Sequence, residues 1–131
     1  MFEKAIGHNG IIYAGAGMAQ TVVEFFEWAR AGEPKDYKLS HAANDFAGLI
    51  VRYVDGQPIV WTIEEALKAW RVDMPFTARG SGVEYALGAM EMGASADQAV
   101  QVAAKFDLGT GGPVRVLRHD HHGEIITQVM P

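Results

Sequence analysis

The sequence predicts an α+β fold, and three observations carry that prediction. Arg79–Leu117 holds two amphipathic helices of small residues head to tail, opened by Gly80-Ser81-Gly82 and closed by Thr110-Gly111-Gly112. Short segments whose apolar residues alternate lie on both sides of it, as half-buried strands do. Asn9-Gly10 and Asp55-Gly56 each separate two such segments, and these dipeptides suit the two-residue hairpin turn.

Taken in order, residues 1–17 read as a strand and a glycine turn, with Ile11, Ile12 and Tyr13 forming a short apolar run. Gly15-Ala16-Gly17 lacks the third glycine of a dinucleotide fingerprint, and Gln20 stands near its place. The segment is therefore expected to be a strand-to-helix corner built from small residues. From Met18 the spacing becomes helical: Val22, Phe25, Phe26 and Ala29 fall on one side and Glu24, Glu27 and Arg30 on the other, up to Gly32 and Pro34. Phe25, Phe26 and Trp28 are read as core and interface bulk. Residues 33–48 show no sustained period and are expected to form a loop with at most one helical turn. Leu49–Val54 and Pro58–Ile63 alternate around Asp55-Gly56 as a hairpin, and Glu64–Trp70 is expected to be a short helix with Leu67 and Trp70 on one face.

In the organising stretch, Val83, Ala86, Leu87 and Met90 recur at helical spacing and Gly93 closes that helix. Ser95-Ala96-Asp97-Gln98 is a capping box, because the Ser hydroxyl can accept from the backbone N–H three residues on while the Gln side chain reaches back. Ala99, Val102, Ala103 and Phe106 repeat the stripe. Alanine and glycine predominate in both, so the helices can approach a neighbour closely. Val114 and Val116, then Ile125, Thr127 and Val129, alternate as a final pair of strands.

A chain of 131 residues fits one domain, 1–131, and is long enough to bury about two thirds of its unfolded surface. With 49% hydrophobic residues and no apolar run near the length of a membrane span, it reads as a soluble cytoplasmic protein without a signal peptide. The absence of cysteine excludes disulfides and thiolate chemistry. A net charge of −5 with no basic stripe argues against nucleic acid as a partner.

Gly80-Ser81-Gly82, Gly93-Ala94-Ser95 with Ala99, and Asp107-Leu108-Gly109-Thr110-Gly111-Gly112 occur in the order and spacing of three motifs of one family. The chain resembles the proteasome β-subunits and the bacterial HslV peptidase, from about Lys4 to Arg118. The resemblance implies an αββα sandwich of the N-terminal-nucleophile (Ntn) hydrolase type, with helices on both sides of two packed sheets. It also implies roles for particular residues. Lys4 falls near the family's catalytic lysine, whose ammonium would lower the pKa of a nearby nucleophile or help accept its proton; read alone, Lys4 is equally an ordinary solvated lysine. Gly17 and Met18 fall at the turn whose backbone N–H holds the oxyanion. Ser81, Asp107 and Thr110 match the groups that surround the terminal amine and hydroxyl. Each also has a purely local reading: Ser81 as a helix cap, Asp107 bonded to the following turn, Thr110 preceding the Gly-Gly bend.

The family attacks the peptide carbonyl with a threonine at the first position of the mature chain, whose own α-amino group, of pKa near 8, helps move the proton. Here the sequence begins Met1-Phe2, and the first hairpin of the family fold has no counterpart. None of Thr21, Thr62, Thr77, Thr110 or Thr127 supplies a free amine. The sequence is therefore expected to be a non-catalytic proteasome/HslV-like subunit or interaction protein that self-associates into a dimer or ring, or binds a protein over an exposed sheet. The alternative is a threonine-type endopeptidase subunit represented without its nucleophile segment. A small-molecule binding domain has no ligand signature in its favour, and no cofactor is implied. His119-Asp120-His121-His122 carries metal-ligating side chains, but neighbours on one tight turn seldom converge on one ion, so a solvated hairpin tip is expected.

Overall fold

The computed structural model describes residues 4–39, 46–64, 67–107 and 114–130. These hold seven strands and three helices in the order β1 (Ala5–His8), β2 (Ile11–Gly17), α1 (Ala19–Arg30), β3 (Phe46–Val54), β4 (Gln57–Ile63), β5 (Ala69–Arg71), α2 (Val83–Glu91), α3 (Ala96–Phe106), β6 (Val114–His119) and β7 (Ile125–Met130). The chain divides into two compact units, Met1–Val72 with Leu117–Ile126, and Asp73–Val116 with Thr127–Pro131.

In the first unit β1 to β5 form an antiparallel sheet in sequence order. Two of its connections are the hairpins the dipeptides predict. Asn9 and Gly10 have φ of 51° and 75°, and Asp55 and Gly56 have φ of 51° and 82°. Left-handed backbone at both central residues gives the turn whose twist matches that of the strands.

α1 crosses one face of this sheet because its apolar stripe recurs at the helical period. Val22, Phe25, Phe26, Trp28 and Ala29 are buried with Ile6, Tyr13, Leu39, Phe46, Ile50 and Ile63 in one core cluster. Phe25 is at its centre, with ring centroids 5.9 Å from Tyr13, 5.8 Å from Phe26, 5.8 Å from Trp28 and 5.1 Å from Phe46. The strand-to-helix corner needs its small residues: a Cβ on Gly15 would lie 2.9 Å from Val22 Cγ1, so glycine there lets α1 lie against β2.

Two expectations fail in this unit. Ala69–Arg71 is a strand, where Glu64–Trp70 was expected to be helical. Trp70 pairs with Thr62 and Ala69 with Ile63, while Leu67 has φ of 57°, which a right-handed helix does not tolerate. Pairing with the sheet outweighs the local helical preference of this segment. β3 also begins at Phe46, three residues before the alternation suggests; Phe46 and Ile50 face α1, and Gly48 between them blurs the pattern.

In the second unit α2 and α3 pack against each other, burying Ala86, Ala99 and Ala103. The capping box forms as the sequence predicts: Gln98 N–H donates to Ser95 Oγ at 3.4 Å and Ser95 N–H donates to Gln98 Oε1 at 3.0 Å. Gly93, with φ of 102°, ends α2 by donating to the Met90 carbonyl, while Ala94 donates to that of Ala89. These are the two bonds of a Schellman motif. β6 and β7 form a two-stranded sheet. No helix among the described residues is long and apolar enough to cross a membrane.

Candidate functional site

The residues expected to serve catalysis fall in both units. In the second, the Ser81 hydroxyl donates to Asp107 Oδ2 at 2.7 Å, across 26 residues of sequence. Ser81 precedes Gly82, the N-cap of α2, and Asp107 is the C-cap of α3, so antiparallel packing brings the two ends together. Gly82 has no side-chain cap, and the Ser81 proton goes to a distant carboxylate, which sets aside the reading of Ser81 as a cap of its own helix. The pair sits beside a stacked Tyr85–Phe106 pair with centroids 5.7 Å apart.

In the first unit Lys4 is exposed immediately before β1, and its carbonyl accepts from Gly15 N–H at 2.9 Å. That places Lys4 beside β2, two residues from Gly17. Gly17 has φ of 113° and pairs with Phe46 at the end of the sheet. Met18, at φ −61° and ψ 128°, is the N-cap of α1 and supplies no side-chain cap. The first-turn N–H groups of α1 thus gain no acceptor from it; a carbonyl oxygen becoming anionic would be stabilised by donors of this kind. Lys4 and the Gly17–Met18 corner share one end of one sheet, as the resemblance implies. Thr110 lies outside the described residues.

Sequence reading missed a polar cluster against the core. Tyr13 Oη donates to Glu33 Oε2 at 2.6 Å, and Arg52 Nη2 donates to Glu33 Oε1 at 2.6 Å. Burial, then the hydrogen bond and charge of Glu33, push the Tyr13 hydroxyl well above the usual tyrosine range. Glu33 adopts φ of 58° directly after Gly32, at 89°. A glutamate after a helix-ending glycine is a faint signal at best, since its partners are 20 and 19 residues away.

The histidine-rich segment is a hairpin tip. Asp120 Oδ1 accepts from His122 N–H at 2.8 Å and Glu124 N–H at 2.9 Å, and these bonds, chiefly that of Glu124, hold its carboxyl below the usual range. His119 Nε2 lies 2.7 Å from the Gly10 carbonyl, so it is the nitrogen that carries the proton. Tyr53 Oη donates to the His121 carbonyl at 3.0 Å. The side chains tie the tip to the β1–β2 turn and to β3. Among the described residues no three His, Asp or Glu side chains are placed to hold one metal ion, His119, His121 and His122 included.

No protein-family model matches the chain, and no curated protein matches it. Among solved structures it is similar to the BPH of Thiobacillus denitrificans in complex with epoxomicin. That likeness has 21% identity, a TM-score of 0.63, and covers 98% of this chain and 79% of that chain. The fold is a proteasome-like α/β fold with three helices and antiparallel sheets among its described residues.

Proposed function

We propose that residues 1–131 form one proteasome-subunit-like domain of the Ntn-hydrolase sandwich type, related to HslV, which acts as a non-catalytic subunit or interaction protein through self-association or a protein partner. The observation that carries this reading is the likeness in fold to the BPH chain over 98% of the sequence. The site adds the chemistry. Ser81, Asp107 and Lys4 are groups that orient and tune a nucleophile, and a hydroxyl bonded to a carboxylate positions without attacking. Thr21 is buried in α1 and Thr62 is paired on both sides within β4, and an internal threonine carries no α-amino group to take the proton. Such groups without a nucleophile catalyse little.

A threonine-type endopeptidase subunit is the second reading, favoured by the Ser81–Asp107 bond being in place and by the neighbour having been solved with epoxomicin. Intact mass, a fluorogenic peptidase assay and incubation with epoxomicin separate the two. A protein whose mass equals that of the 131-residue sequence is expected to show no turnover, no epoxomicin adduct and no shift in melting temperature. Turnover by that protein, lost in Ser81→Ala or Lys4→Ala, overturns the non-catalytic reading.

A further inference from the structure

Two exposed patches carry opposite charge at matching spacing. On α2, Tyr85 is 44% exposed and Met92 88% exposed; they stand seven residues apart, two helical turns along one face. Phe106, 63% exposed, stacks on Tyr85 and widens the apolar stripe. Glu84 and Glu91, also exposed and also seven residues apart, flank it on one side, with carboxylates about 10 Å apart along the axis. The second patch is the outer edge of the five-stranded sheet, where β5 is the last strand. Trp70, 52% exposed, lies there between the exposed Lys68 and Arg71. These two cations are three residues apart in extended chain, again about 10 Å.

We infer that the α2 stripe of one copy docks on the β5 edge of a second copy, with Trp70 against Tyr85, Phe106 and Met92 and the pairs Lys68/Arg71 and Glu84/Glu91 facing each other. The inference rests on the self-association proposed above and names its surfaces. Like patches repel: two β5 edges meeting would oppose Lys68 and Arg71 to themselves, the usual guard against edge-to-edge pairing. Two α2 stripes meeting would oppose four carboxylates. Only the unlike contact covers apolar surface and pairs charge together. Such a contact is head to tail, so it propagates to a ring where the rotation closes and to an open chain where it does not.

Charge reversal tests it. The variants Glu84→Lys/Glu91→Lys and Lys68→Glu/Arg71→Glu change only exposed side chains, and circular dichroism with thermal melting confirms that each folds. By light scattering at about 100 µM the wild-type protein is expected at a multiple of 14.2 kDa, with dissociation as salt rises. Each variant alone is expected to associate on the order of a hundredfold more weakly. An equimolar mixture of the two is expected to reassemble, because every α2 then meets a β5 of opposite sign. A wild-type oligomer that both variants preserve overturns this contact while leaving self-association standing. A wild-type monomer overturns both. Variants that dissociate but do not recover on mixing overturn the pairing of these two patches.

Discussion

Replacing Tyr13 by phenylalanine separates the polar cluster from the apolar packing around it. The ring stays edge-on to Phe25 in the core, and only the hydroxyl that donates to Glu33 at 2.6 Å is removed. A hydrogen bond to a charged acceptor contributes about 1.5–3 kcal/mol, and Glu33, whose side chain is 22% exposed, keeps Arg52 and gains water. The expected cost at pH 8 is therefore about 1.5 kcal/mol, or about 5 °C in melting temperature for a domain of this size. The pH dependence is the sharper signature. Tyr13 ionises near 10 when unfolded and well above that when folded, so the folded chain keeps a proton that the unfolded chain gives up. The stabilisation is complete below pH 10 and is lost above it, by about 1.4 kcal/mol for each pH unit until the folded hydroxyl itself titrates. Denaturant unfolding of the two proteins from pH 8 to pH 11 should show their stabilities converging, with the difference close to zero near pH 11. Tyr37, whose hydroxyl is also raised by desolvation and then by Glu27 and Glu24, is common to both and cancels. A difference that stays constant across this range would refute the account of Tyr13 as a neutral donor held by burial and Glu33.

Gly48→Ala tests close packing between the strands and α1: the new methyl would lie 2.7 Å from Ile63 Cγ2, 3.1 Å from Phe46 Cζ and 3.2 Å from Phe25 Cε2. Overpacking of this kind is expected to destabilise by about 1–3 kcal/mol with an unchanged denaturant slope, and a neutral result would mean the core is looser than described. Ser95→Ala removes the capping box and is expected to cost about 1 kcal/mol, read as faster amide exchange in the first turn of α3. The same change should return the Asp97 carboxyl toward its ordinary range, because the Ser95 hydroxyl, donating at 2.7 Å, is the main cause of its depression; NMR titration would show it.

What the sequence determined by itself is whatever a few neighbouring residues decide. The Asn9-Gly10 and Asp55-Gly56 turns, the buried stripe from Val22 to Ala29, the Ser95–Gln98 box and the Gly93 stop all depend on chain periodicity or on hydrogen bonds within five residues. The three motifs that resemble the proteasome family also lie in this local register, and the fold is indeed proteasome-like. Tertiary structure alone decided the rest. Ala69–Arg71 became a strand because β4 offered unpaired backbone, whatever the helical preference of its own residues. Tyr13 met Glu33 and Arg52, His119 met Gly10, and Ser81 met Asp107, although 19 to 109 residues separate the partners. A hydrogen bond over such a span needs the backbones to be brought together first. That is the work of the apolar core, so polar partners follow from packing and cannot be read from the order of residues.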